Sequence, residues 1–198
     1  GEGLACALGL AGDDVRFGVG VARDVAADVA AAARQIASSF VGLTDYTFPH
    51  RSALVMTDAL AGHADLLVDE LTLATAGQYQ FFGGGAGDNA QFQRTSVFMG
   101  REVLNGAAVA LEILTEKPIG IGVRHGWTPA SLPLRVTEAE GMRLVSLNGL
   151  PAAEVFEAHA AATGQGLNRD APIPFFLHNI LGIQAGESHR LRVPLAIL

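Results

Sequence analysis

The residues best suited to chemistry form a glycine-rich run, Phe81-Phe82-Gly83-Gly84-Gly85-Ala86-Gly87-Asp88. Glycine has no Cβ, so such a run can adopt positive φ and turn bare backbone N–H groups into a concavity that holds an anion or a carboxylate. Gly83, Gly84, Gly85, Gly87 and Asp88 are therefore candidate ligand-binding residues. The dinucleotide fingerprint fails, because Asp88 stands where the third glycine belongs and a strand rather than a helix is expected next. The same run also reads as a glycine bulge at a sheet corner.

A second candidate is Ile119-Gly120-Ile121-Gly122-Val123-Arg124-His125-Gly126-Trp127. Alternating small residues leave room over a strand, and Arg124, His125 and Trp127 at its end would supply a polar and a stacking wall. The alternative is a strand packed against a helix with Trp127 in the core. Arg51, after the loop Thr47-Phe48-Pro49-His50, carries a guanidinium suited to bidentate carboxylate recognition.

Other chemistries find less support. The six histidines form no HExxH, HxH or CxxCH pattern, and the lone Cys6 cannot complete a zinc cluster. A b-type haem needs one axial histidine in an apolar cleft. His178, within Phe175-Phe176-Leu177-His178-Asn179, and His50, after Phe48 and Pro49, are the candidates. No GxSxG elbow surrounds any serine. Asp88, Glu138 and Glu140 read as turn carboxylates rather than an acid/base set. The expectation is a protein that is not an enzyme.

The elements that must position these residues follow from composition and periodicity. The 198 residues are 49% hydrophobic and 17% charged, with 24 glycines and a net charge of −7. That supports a folded core and argues against nucleic acid, which needs clustered Lys and Arg. No apolar stretch is long enough to span a membrane, the sequence shows no basic n-region for secretion, and a single cysteine fits a reducing cytoplasm.

Leu4–Leu10 and Val15–Val21 read as a hairpin. A helix capped by Asp24 follows, with Val25, Val29, Ala32, Ile36 and Phe40 on one face. Ser52–Thr57 reads as a strand and Asp58–Thr75 as a helix through Leu66, Leu67, Leu71 and Leu73. Strands are expected at Tyr79–Phe82, Thr95–Phe98, Glu102–Leu114, Ile119–Arg124, Leu132–Thr137 and Arg143–Leu147, with a turn at Met99-Gly100-Arg101. Pro151 opens a helix to about Ala162. The expected class is α/β (α+β), a mixed, largely antiparallel sheet flanked by helices.

The order of these segments resembles the FIST family, a sensory input domain of signal-transduction proteins. The resemblance rests on the Gly83–Asp88 run, Thr95-Ser96-Val97-Phe98, Gly126-Trp127-Thr128-Pro129, Val136-Thr137, Leu147-Asn148-Gly149-Leu150-Pro151-Ala152 and Arg192-Val193-Pro194. It implies an N-terminal-like domain over 1–162, a linker over 163–172 and the start of a similar C-terminal unit over 173–198, so that the chain reads as part of a longer protein. It also implies a bacterial, cytoplasmic, non-enzymatic receptor for a small molecule such as an amino acid, signalling to an output protein such as a histidine kinase. Haem-based nitric oxide sensing is implied for some members. A protein-interaction module is a third reading.

Overall fold

The one-on, one-off pattern at Val15, Phe17, Val19 and Val21 does form a strand, β1 (Val15–Ala22). In the computed structural model the described residues are 7–141, 143–186 and 188–198. Among the described residues no strand precedes β1 to pair with it. Residues 4–6 of the expected hairpin, including Cys6, lie outside the described residues, and 7–10 carry no strand. Its partner is β6 (Ala108–Thr115), antiparallel from Val15↔Thr115 to Ala22↔Ala108. β6 also pairs antiparallel with β2 (His50–Asp58), which pairs in parallel with β3 (Gln80–Ala86). The four-stranded sheet has the order β1-β6-β2-β3. The mixed, largely antiparallel class expected from sequence is the class observed.

Helices cover one face of this sheet. The register puts Gly18, Gly20 and Ala22 of β1 beside Glu112, Ala110 and Ala108 of β6, and these beside Ala53, Val55 and Thr57 of β2. Small residues let α1 (Val29–Ala37) approach closely; a Cβ on Gly20 would lie 2.7 Å from the Ile36 carbonyl oxygen. Val25, Val29, Ala32, Ile36 and Phe40 are all buried, although Val25 and Phe40 flank the helix rather than belong to it. The N-cap is Asp28, which accepts from the Ala31 N–H, and not Asp24, whose φ of 54° places it in the preceding turn.

The helix expected over Asp58–Thr75 is shorter. Asp58 ends β2, residues 59–61 form a 3-10 turn, and Gly62 and His63 have positive φ before α2 (Ala64–Ala74) begins. Leu67 and Leu71 face the core, whereas Leu66 and Leu73 are exposed. The Asp58 carboxylate joins the end of β2 to the loops beyond it by accepting from the Thr95 hydroxyl, Gly106 N (2.7 Å) and Leu60 N (2.9 Å). Burial pushes its pKa up, but these hydrogen bonds prevail and hold it below the ordinary aspartate range. The turn at Gly100 joins β4 (Val97–Met99) to β5 (Glu102–Leu104) as expected, but β5 and β6 are separate, broken at 105–107.

Residues 116–135 form neither helix nor strand, so the strands expected at Ile119–Arg124 and over most of Leu132–Thr137 are not formed. Alternation gives a segment two faces; a ladder needs a neighbouring backbone in register as well.

The chain divides into two compact units, 1–123 and 124–198. The second contains β7 (Val136–Glu140), β8 (Arg143–Leu147) and β9 (Leu150–Pro151) in one antiparallel sheet. α3 (Ala152–Ala162) and the short α4 (Ile173–Phe176) follow, then the hairpin β10 (Leu181–Ala185) and β11 (Ser188–Arg192). Pro151 is the N-cap of α3. Edge-on packing of Phe156, Phe175 and Phe176 around Ala160 makes the core of this unit.

Glu112 is the least expected feature of the first unit. It is fully buried on the helix-covered face of β6 and accepts hydrogen bonds from Val41 N (2.8 Å), Gly42 N (2.9 Å) and the Tyr79 hydroxyl. Tyr79 packs between Phe40 and Phe81, with ring centroids 5.0 and 6.1 Å away. Burial, reinforced by the Glu112 hydrogen bond and charge and partly offset by Arg51, pushes the Tyr79 hydroxyl well above its ordinary pKa of 10.0. A tyrosine held neutral in the fold contributes stability that is present below pH 10 and lost as pH rises above it. Denaturant unfolding should therefore show Tyr79→Phe losing about 1 kcal/mol at neutral pH, with a flatter alkaline limb than the parent. Glu112→Ala, which strands two buried donors and a partly buried one, should lose about 3 kcal/mol or more.

Candidate functional site

The other face of the same sheet holds the candidate site. Strand alternation brings His50, Ser52 and Leu54 of β2 to this face, and the parallel register sets Gln80 beside Ser52 and Phe82 beside Leu54. The segment following β6 runs past these side chains and leaves two adjoining hollows. One, about 180 Å³, is polar and is lined by Pro49, His50, Arg51, Ser52, Gln78, Gln80, Pro118 and Ile119. The other, about 350 Å³, is bounded by Leu54, Phe82, Gly83 and residues 119–123. Ile119 lines both. Together they form a crevice with a hydrogen-bonding end and an apolar end.

The glycine run enters this crevice, but as strand rather than as a loop. Gly83, Gly84 and Gly85 lie within β3, paired with Val55, Met56 and Thr57. At Gly83 the requirement for glycine is steric: a Cβ would penetrate the Val55 carbonyl oxygen and sit 2.7 Å from its carbonyl carbon. Gly84 and Gly87 face open space. Asp88 lies just past the strand and accepts from the backbone N–H groups of Phe92 (2.9 Å), Gln93 (2.7 Å) and Arg94 (3.0 Å). The Gln93 and Arg94 N–H bonds are the main reason its pKa is held below the ordinary range. Its oxygens organise its own loop.

Arg51 is also engaged locally. It alternates to the helix-covered side, where its Nε–H donates to the Gly42 carbonyl (2.9 Å) and its guanidinium lies 5.1 Å from the centre of the Tyr46 ring. His50, the first residue of β2, is half-buried. Arg124, His125 and Trp127 belong to the second unit and are exposed there, the Trp127 N–H donating to His125 Nδ1 at 3.3 Å. His178 follows α4 in that unit and is exposed. Among the described residues no group of three or more His, Cys, Asp or Glu side chains gathers as a metal site, and no helix is long and apolar enough to cross a membrane.

Sequence reasoning missed Ser52, Leu54, Gln78, Gln80 and Phe82. Their signal was the alternation His50, Ser52, Leu54, which puts polar and apolar residues in sequence along one strand face. The contrast within the glycine run is directly testable. Gly83→Ala should cost more than about 3 kcal/mol in thermal or denaturant unfolding, whereas Gly84→Ala should stay within about 0.5 kcal/mol of the parent.

Comparison with known proteins adds a family. A search of curated proteins returned no match. The family model of the FIST N domain matches residues 1–150, most of the chain and all of the unit that carries the crevice. The chain therefore belongs to the FIST family, sensory domains of signal-transduction proteins.

Proposed function

We propose that this chain is a non-enzymatic receptor that takes a small molecule into the crevice on the open face of its first sheet and passes the signal to an output protein, such as a histidine kinase, in the cytoplasm. The observation that carries this reading is the adjoining pair of hollows, a polar one at His50, Ser52, Gln78 and Gln80 and an apolar one at Leu54 and Phe82. An apolar hollow of about 350 Å³ is within the range of small-molecule sites, and a few convergent polar groups are what orient a guest. Pro118 and Ile119 wall the polar hollow, residues 119–123 wall the apolar one, and the segment leads directly into the second unit. A guest beneath them biases their position, which is how occupancy becomes a conformational signal.

Half-buried His50 on the crevice wall favours a second reading, haem binding with nitric oxide as the sensed gas. His50, rather than exposed His178, would then hold the haem iron.

Thermal unfolding in the presence of a metabolite panel tests the first reading. A ligand present at 100 times its Kd should stabilise the protein by about 2.7 kcal/mol, and Gln80→Ala should reduce the effect. No stabilisation by any compound would refute it. Haem reconstitution tests the second: a Soret band lost in His50→Ala supports it, and a protein that stays colourless ends it.

A further inference from the structure

We infer that the guest of the crevice is an elongated amphiphile, an acyl chain ending in a carboxylate or carboxamide head, rather than a free amino acid; this rests on the reading that the crevice is the ligand site. Length is the first argument. The polar end begins at His50 and the apolar end is reached at Leu54, four residues further along one strand. At about 3.3 Å per residue that is about 13 Å. An extended chain covers this distance with roughly eight to twelve linked atoms, whereas leucine, with about six linked atoms from carboxylate oxygen to side-chain tip, covers about half of it. A free amino acid seated at the polar end would leave the larger, apolar hollow unfilled.

Head chemistry is the second argument. His50, Ser52, Gln78 and Gln80 bring hydroxyl, amide and imidazole groups to the polar end, all able to donate to a carbonyl or carboxylate oxygen. Among the described lining residues there is no Asp or Glu to receive an ammonium group. The charged residue on the lining is Arg51, a cation, whose side chain is directed to the other face of the strand. A zwitterion or an amine would bring a positive charge with no carboxylate partner. At the far end Leu54, Phe82, Ile121 and Val123 present hydrocarbon, and Gly120 and Gly122 have no neighbour within 4 Å of where a Cβ would stand, leaving width for an alkyl chain.

Calorimetric titration of the full chain with octanoate, octanamide, octylamine and leucine decides the matter. Octanoate or octanamide should bind at least about tenfold more tightly than leucine and octylamine, and Gln80→Ala and Phe82→Ala should each weaken that binding by about tenfold. Gln80 is exposed on an edge strand, so its variant reports on binding without a folding defect. Leucine binding as tightly as octanoate would overturn the length argument, and octylamine matching octanamide would overturn the head assignment. In either case a loss in Gln80→Ala would keep the crevice as the site. Binding of the acyl probes unaffected by either substitution would overturn the proposal and the crevice reading together, as would no binding of any probe.

Discussion

A carboxylate sealed inside a core of alanines, glycines and aromatics organises the first unit. Removing Glu112 from water costs several kcal/mol. Three hydrogen bonds, from Val41 N, Gly42 N and Tyr79, meet it in the fold, and bonds to a charged acceptor are worth about 1.5–3 kcal/mol each. The terms are of the same size, so the carboxylate is tolerated rather than strongly stabilising, and what it supplies is position. It ties the turn after α1 and the entry to β3 to the central strand. Gly18 and Gly42 leave it room, since a Cβ on either would collide with the Glu112–Tyr79–Leu114 cluster.

That constraint divides the labour between the two faces of the sheet. On the inner face Arg51, Tyr79 and Glu112 spend their polar atoms on one another's neighbourhood and on the 41–46 turn. Their sequence neighbours His50, Ser52, Gln78 and Gln80 line the polar hollow on the other side. The crevice therefore inherits its placement from the buried network: the backbone of 50–52 and 78–80 is pinned from behind, and the side chains that would meet a guest stand on a held surface. Gly83 extends the arrangement, because only a residue without Cβ lets β3 lie so close to Val55.

Most of the elements were legible in the sequence, because period-two and helical patterns report which side chains share a face. Val25, Val29, Ala32, Ile36 and Phe40 are buried as their spacing requires, and the Gly100 turn makes its hairpin. The misreadings share a cause. Asp24 rather than Asp28 as cap, one helix over Asp58–Thr75, and strands at 119–124 and 132–135 each took a local preference for a settled outcome. A cap depends on which residue's oxygen meets an N–H, and a strand depends on a partner supplied from elsewhere in the chain.

The candidate site was legible only in part. The glycine run suggests freedom of φ, yet it runs as strand, and the close packing at Gly83 is a property of the Val55 backbone opposite it. Arg51 was chosen for its guanidinium, but strand alternation turns it to the inner face. What the chain's residues determined by themselves is the α+β class, the apolar faces and the family, since these depend on periodicity and on the order of local patterns. What tertiary structure alone decided is which face each strand shows, that β2 and β3 run in parallel register, and hence that Ser52 stands beside Gln80 and Leu54 beside Phe82. Those pairs come from segments far apart in the chain, and nothing in either segment encodes the register that joins them.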